Sequence, residues 1–367
     1  MIILTINAGS SSVRLAAFEK TGMEELARRK YSVEESSPSI LEKFVSDHGI
    51  QRISVIAHRV VHGGTMFVSS CVIDADVETE IDRLSLLAPL HNPFALKWIR
   101  ECGRTFGGHI PQIAVFDTAF YAALPEAAAT YALPKDLCGQ YGIRRYGFHG
   151  LAHSAMLNRW KGLRPDVKDG GKVISLQLGA GCSITAVQNG NVMDTSMGFS
   201  PLEGLVMATR SGDIDPDIIF YLNRSSGLPL DEIETTLNHS SGLLGISGIS
   251  GDMKVLLEST CPEARLAVEL FCYRARKYIG AYLAVLQGTD AILFGGGIGE
   301  NAPQVRRRIL EEMQWLGVIL DTRSNNATIG KEGRISSPES RTDVRVIPVD
   351  EGAVLAQEAV SVIQKLQ

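Results

Sequence analysis

Short runs of β-branched and apolar residues alternate along the chain with longer segments whose apolar positions recur every three or four residues. This pattern predicts strands interleaved with amphipathic helices, an α/β fold. One device is used twice. IILTINAGSSSVRLAAF at 2–18 and VISLQLGAGCSITAV at 173–187 each pass from an apolar strand into a tight loop of Gly, Ala and Ser and back into a second strand. Each is a hairpin whose turn presents backbone N–H groups, a geometry that holds phosphate. A third glycine cluster, ILFGGGIGEN at 292–301, follows an apolar strand and leads into a charged, helical segment, so backbone can approach a flat ligand closely there. The repeated hairpin and the third cluster predict a duplicated nucleotide-binding fold with a cleft between its halves.

The helical period is clearest at 266–287, where Val268, Cys272, Ala275, Ile279, Leu283 and Leu286 form one face and Arg274, Arg276 and Lys277 flank it. The last segment repeats it with Leu355, Ala359, Val362, Ile363 and Leu366, which predicts a terminal helix docked on a structure already built. The polar stretches at 162–172 and 223–232 read as surface loops, and a domain boundary is expected at 120–150, ahead of the second hairpin.

Composition narrows the function. A chain of 367 residues with 45% hydrophobic and 21% charged residues has material for two cores. A net charge of −5 argues against a general nucleic-acid binder, so an anionic substrate must be met by a few local arginines. No secretory signal and no span of about 18 to 20 apolar residues is evident. The six cysteines form no CxxC pair, which suits reduced thiols in a cytoplasmic enzyme.

Candidate chemistry follows the glycine loops. In IAHRVVHGG at 56–64, strand alternation puts Arg59 and Val61 on one face and His58, Val60 and His62 on the other. A guanidinium beside a small apolar side chain suits a short carboxylic acid, against the plainer reading of a surface arginine on an edge strand. No neighbouring carboxylate completes a metal site with His58 and His62. Asp117 follows an apolar strand, where α/β sheets present side chains to ligands. His149 lies between Gly147 and Gly150, where backbone must bend to present the ring, and with His153 it has the i, i+4 spacing of a metal pair but lacks the Glu of a metalloprotease motif. Arg210 is either a second clamp on a phosphoryl group or the surface partner of Asp213 or Asp215.

NAGSSSVR, HRVVHGG, APLHNP, FDTAF, RYGFHG, DTSMGFSPLEGL, TRSGDIDP, SGLLGISG, YIGAY and FGGGIGENAPQVR occur in this order between residues 2 and 358. Together they resemble the acetate kinase family and its propionate kinase relatives, within the actin, sugar-kinase and Hsp70 superfamily. The resemblance implies duplicated actin-like (ribonuclease H-like) βββαβαβα domains, one formed by residues 1–121 with 352–367 and the other by 122–351. It implies transfer of the ATP γ-phosphoryl to acetate with Mg2+ or Mn2+, in a cytoplasmic homodimer paired through the 266–287 helix.

The family's roles carry over by position. Asn7 and Ser10 to Ser12 match the first phosphate loop, with Asn7 and Glu351 at the metal; Arg14 stands where many members have Lys. Arg59, Asp117, His149 and Arg210 match the catalytic set, in which the arginines hold carboxylate and phosphoryl, the histidine bonds the phosphoryl in flight, and Asp117 orients substrate or metal. Val61, Leu90, Phe148 and Pro201 match the pocket of the acetate methyl, and His91 a supporting histidine. The nucleotide set is Ser12, Arg14, Gln177, Gly179, Ala180, Gly181, Asp252, Met253, Lys254, Gly296, Gly297, Ile298, Gly299 and Asn301.

The chain also departs from that pattern. Gln177 and Ala180 replace the histidine and asparagine of the family's second phosphate loop, and losing one hydrogen bond to a charged group costs about 1.5 to 3 kcal/mol. Tyr121 stands where His is common, and Met253 with Lys254 where an aromatic and an arginine frequently border the purine. A propionate or other short-chain acid kinase, a kinase using another donor such as pyrophosphate, and a non-catalytic ATP-binding actin-like protein are the alternatives.

Overall fold

The structure, a computed structural model, describes residues 2–9, 12–32, 37–89 and 91–366. Two six-stranded mixed sheets organise it. The first contains β1 (Ile2–Ala8), β2 (Ser12–Glu19), β3 (Glu25–Ser32), β4 (Ile53–Val60), β5 (Cys71–Val72) and β6 (Gln112–Phe116) in the order β3-β2-β1-β4-β6-β5. The second contains β7 (Lys172–Leu178), β8 (Cys182–Gln188), β9 (Asn191–Thr195), β10 (Ala291–Gly295), β11 (Gly333–Arg334) and β12 (Asp343–Val346) in the order β11-β12-β10-β7-β8-β9. Read from the hairpin side, the two orders are the same, and in each an antiparallel meander passes into parallel strands. The glycine hairpins therefore open two copies of one topology. Each copy also carries a two-residue antiparallel edge strand, β5 or β11, too short to leave a periodic trace in sequence.

The chain divides into two compact units, Met1–Ala122 with Phe148–Ala155 and Asp350–Gln367, and Ala123–Gly147 with Met156–Val349. This division differs from the expected one at Ala122, at 148–155 and at 350–351. Residues 148–155 join the first unit because the Leu151 N–H donates to Asp117 Oδ1 (3.2 Å) and the Tyr121 hydroxyl donates to the Phe148 carbonyl (2.7 Å). Glu351 also falls in the first unit, as the first residue of the terminal helix Glu351–Lys365.

In the first unit the sheet is apolar on both faces, as parallel strands between layers require. Leu4, Ile6 and Ile56 pack with Trp98 and Cys102 of the helix Asn92–Phe106 and with Phe44. Ile3, Phe18 and Val55 pack on the opposite face with Leu355, Ala359 and Leu151. The terminal helix thus docks through Val354, Leu355, Ala356, Ala359 and Val362, its N-terminus capped by Asp350, which accepts from the Ala353 N–H (3.0 Å). Leu366 lies beyond its end and is exposed, because the docked face has already run out.

The second unit is built round the helix Pro262–Leu286, which buries Val268, Cys272, Ala275, Ile279 and Leu286; Tyr282 rather than Leu283 completes the stripe. The stretch 223–232 is not one loop. It ends the helix Asp217–Ser226, turns at Gly227 with φ +65°, and begins the helix Leu230–His239. Pro229 and Gly227 punctuate two helices there. Among the described residues no helix is long and apolar enough to cross a membrane.

Candidate active site

Parallel neighbours β1, β4 and β6 end at the same edge of the first sheet, and each has a polar residue next to its end. Asn7 is the penultimate residue of β1, Arg59 that of β4, and Asp117 directly follows β6. The sheet brings together residues 52 and 58 positions apart in sequence. Arg59 donates from Nε (3.0 Å) and Nη2 (2.6 Å) to Asp117 Oδ2 and from Nη1 to Asn7 Oδ1 (3.3 Å). Asn7 Nδ2 in turn donates to Glu351 Oε2, which Arg14 Nη1 approaches to 3.9 Å.

The β4 strand ends at Val60, so the expected alternation does not extend through Val61 and His62. Arg59 is nevertheless no surface arginine: its side chain is 13% exposed and that of Asp117 is fully buried. Burial works against the Arg59 charge, and the carboxylates of Asp117 and Glu351 more than offset it, so its pKa is raised. Burial raises the Asp117 pKa, against the pull of Arg59. The result is an aimed guanidinium with its counter-charge beneath it.

His149 has φ +58°, flanked by Gly147 at φ +76°. A left-handed histidine just before the helix Gly150–Leu163 is the bend that the two glycines permit. His153, one turn on, is completely buried and its pKa is pushed down to about 3 by that burial. Val61 and Phe148 are both buried, and the Phe148 ring meets His62 edge-on at 5.7 Å. His58 pairs through Nε2 with Gln112 Oε1 (2.7 Å), and His62 Nδ1 accepts from the Gly64 N–H (3.0 Å). Burial lowers both pKa values to about 4, so these histidines are neutral parts of the packing. His91 precedes the helix Asn92–Phe106; Ser10, Ser11 and Leu90 lie outside the described residues. In the first hairpin, the Gly9 N–H donates to the Ser12 carbonyl (2.9 Å).

The second unit's hairpin closes one residue tighter, with the Gly179 N–H donating to the Gly181 carbonyl (3.1 Å). It borders a cavity of about 690 Å³ lined by eight of the expected nucleotide residues: Gly179, Ala180, Asp252, Met253, Lys254, Gly297, Ile298 and Asn301. Asp252 caps the helix Met253–Glu258 through the Lys254 N–H (2.8 Å). Gly251, Leu257, Glu258, Ala302 and Gln304 also line the cavity. Helical spacing signals Leu257, four after Met253 on the same helix.

Gly181, Gly296 and Gly299 support this wall without being part of the lining. Gly296 has φ +77°, and a Cβ there would lie 2.6 Å from the Leu178 carbonyl oxygen. The Gln177 amide also lies against Gly296, and its Oε1 is buried with no hydrogen-bond partner among the described residues. Sequence reasoning missed Arg306. It is fully buried and donates to the carbonyls of Gly299 (2.7 Å), Glu300 (3.1 Å), Asn325 (2.8 Å) and Thr328 (2.6 Å) and to Asn325 Oδ1 (2.9 Å). A cation at the C-terminal end of the helix Gly296–Asn301 ties that helix to the end of the helix Thr322–Ala327.

Arg210 also belongs to the second unit. Its Nη1 donates to the Pro201 carbonyl (2.8 Å), and it makes no ion pair among the described residues. Asp213 is engaged instead by the Gly204 N–H (2.8 Å) and the Tyr278 hydroxyl (2.6 Å), and Asp215 by the Asp217 N–H (2.9 Å). Burial lowers the Arg210 pKa, so this guanidinium lacks the carboxylate that a surface reading requires.

Two sheets of one strand order, each opening on a glycine hairpin, together with an aimed arginine and a nucleoside-sized cavity define a duplicated actin-like phosphotransferase. A profile described as the Acetokinase family matches residues 32–357. An acetate kinase of Solibacter usitatus (strain Ellin6076) is 49% identical over 315 residues, covering 85% of this chain and 76% of that one. An acetate kinase of Halothermothrix orenii is 42% identical over 402 residues, covering 99% and 100%. The crystal structure of Porphyromonas gingivalis acetate kinase superposes with TM-score 0.89 at 34% identity, covering 99% of both chains. A propionate kinase of Francisella tularensis superposes with TM-score 0.90 at 37% identity, covering 98% of this chain and 99% of that one. The chain belongs to the acetokinase family. Its activity is that of an acetate kinase, phosphoryl transfer with a carboxyl group as acceptor.

Proposed function

We propose that the chain transfers the γ-phosphoryl of ATP directly and reversibly to acetate, with Mg2+, giving acetyl phosphate and ADP. The array of Asn7, Arg59 and Asp117 at the ends of adjacent strands, with Glu351 at the start of the terminal helix, carries this reading. Acetate is already ionised at neutral pH, so no general base is needed and catalysis is positioning and charge neutralisation. Arg59 holds the acid carboxylate, and Asp117, saturated by Arg59 and Leu151, fixes that guanidinium. Arg210 and His149 take the charge of the phosphoryl oxygens. Val61 and Phe148 bound the methyl group. One methylene is worth about 1 to 3 kcal/mol in such a pocket, so propionate is accepted as a poorer substrate.

Among the described residues no three His, Cys, Asp or Glu side chains converge as a metal cage. The Glu351 carboxylate, 11% exposed, and the Asn7 amide oxygen are hard donors. Such a sparse set fits a cation that keeps waters and shares phosphate oxygens, as Mg2+ does and Mn2+ can. When bound, the metal neutralises phosphate charge; Asn7 and Glu351 would hold it.

The cavity beside Ala180 and Lys254 supports ATP over pyrophosphate, which has no nucleoside to fill about 690 Å³. Gln177→His is expected to lower the nucleotide Kd about tenfold, the worth of one hydrogen bond of about 1.5 kcal/mol to a charged group. Calorimetric titration with ATP checks it, and an unchanged Kd removes the loop departure as a cost. A homodimer is supported by Leu266, Tyr273 and Val285, exposed on the helix Pro262–Leu286. The proposal is tested by trapping acyl phosphate with hydroxylamine, using acetate, propionate and butyrate against ATP, GTP and pyrophosphate with Mg2+. Acetate with ATP is expected to be the best pair; product from pyrophosphate alone would refute the donor assignment.

A further inference from the structure

Arg210 has little anchorage of its own. Among the described residues one hydrogen bond, to the Pro201 carbonyl, ties its guanidinium to the protein, so its aim depends on where that carbonyl stands. Pro201 is bracketed by a single hydroxyl. The Tyr131 OH accepts from the Phe199 N–H (2.8 Å), two residues before the proline, and donates to the Glu203 carboxylate, two residues after it. The other Glu203 oxygen accepts from Arg145 Nη2 (2.7 Å). Arg145 is itself fixed by the carbonyls of Ala128 (3.2 Å), Thr195 (3.1 Å) and Ser196 (3.4 Å), and lies over the Tyr131 ring at 5.4 Å.

The backbone is shaped to admit this cluster. A Cβ on Gly198 would fall 1.7 Å from Glu203 Oε2 and 1.9 Å from the Tyr131 hydroxyl oxygen, so only glycine lets the pair lie against the chain. The far end of the loop is closed independently, since the Asp213 N–H donates to the Gly204 carbonyl while the Asp213 carboxylate accepts from the Gly204 N–H and the Tyr278 hydroxyl. Pro201 lies between these two held points, Phe199 and Gly204. The Arg145 and Glu203 side chains are 17% and 31% exposed. A pair that partly solvated adds little to global stability, and its consequence is local.

We infer that the Tyr131–Glu203–Arg145 cluster is a positioning device that sets the aim of Arg210 through the Pro201 carbonyl. This rests on the reading of Arg210 as a phosphoryl clamp. None of the three acts on substrate; each acts through the turn. A displacement of about 1 Å at a reacting centre costs about 100-fold in rate, so loss of the hydroxyl bracket should appear in turnover and not in nucleotide affinity, because the cavity is lined by other segments.

The test is a double-mutant cycle on the full chain, with kcat, nucleotide Kd and Tm measured for each variant. Tyr131→Phe keeps the ring under Arg145 and removes only the hydroxyl. It should lower kcat about 10- to 100-fold with Kd within about twofold of wild type. In an Arg210→Ala background the same substitution should lower kcat less than about twofold further, since coupled residues are not additive. Glu203→Gln, which retains an acceptor for Arg145, should lose less than Glu203→Ala. An unchanged kcat in Tyr131→Phe overturns the inference, as does full additivity with Arg210→Ala or a parallel fall of kcat, Kd affinity and Tm in Tyr131→Phe and Glu203→Gln. If Arg210→Ala alone leaves kcat unchanged, the clamp reading fails first and the inference falls with it.

Discussion

Replacing Arg59 by alanine is expected to lower kcat/KM for acetate about 1000-fold, the upper range for removing one aimed donor from a charge-stabilising site. The same change should destabilise the fold by about 3 to 5 kcal/mol, because it leaves the fully buried Asp117 carboxylate without its counter-charge. Burial would then act on Asp117 with only the Leu151 N–H bond against it and hold its folded-state pKa further above the unfolded value. Between those two values the native state binds more protons than the unfolded chain, so the variant's stability should fall as pH rises through that window. The double variant Arg59→Ala/Asp117→Asn separates the two losses. Its Tm should recover and lose its pH dependence, while activity stays low. Recovery of activity with Tm would show that Arg59 serves the fold alone.

Gly150→Ala carries the second large effect. A Cβ at that position would meet the Asp117 carbonyl oxygen at 2.0 Å and Phe120 Cβ at 2.7 Å. The nearest obstacle is backbone, which cannot swing aside. The helix Gly150–Leu163 must retreat from Asp117, and the Leu151 N–H bond to its carboxylate is lost. Overpacking of this kind costs about 3 kcal/mol, and the shift transmitted through Asp117 to Arg59 should lower kcat/KM about 100-fold. Thermal unfolding and steady-state kinetics check both, and a wild-type Tm would contradict the packing account.

The hairpins β1–β2 and β7–β8 were legible because their apolar runs and glycine turns are contiguous. The long helix 262–286 was legible because 25 residues give its period room to register. Short elements and tertiary choices were not. β5 and β11 are two residues each, and the two helices within 217–239 are separated by a polar turn that reads the same as a loop. The grouping of residues 148–155 with the first unit was not legible because the bonds that link them to Asp117 and Tyr121 span 34 and 27 positions.

The site shows the same division. Arg59 was visible as a cation in an apolar strand, but its fork onto Asp117 arises only when β4 and β6 align in parallel. Asn7 and Glu351, 344 positions apart, meet because the terminal helix returns to the first sheet. Arg306 and Glu203 left no signal: a buried arginine bonded to carbonyls, and a glutamate in a glycine loop, look in sequence like ordinary surface charges.

The most direct measurement is the stereochemical course of transfer, using ATP made chiral at the γ-phosphorus with oxygen isotopes and acetate as acceptor. Direct in-line attack by the carboxylate held at Arg59 predicts inversion at phosphorus. Retention would require two displacements and a covalent phosphoenzyme, and would contradict the account in which Asn7, Arg59, Asp117, His149, Arg210 and Glu351 only position and neutralise.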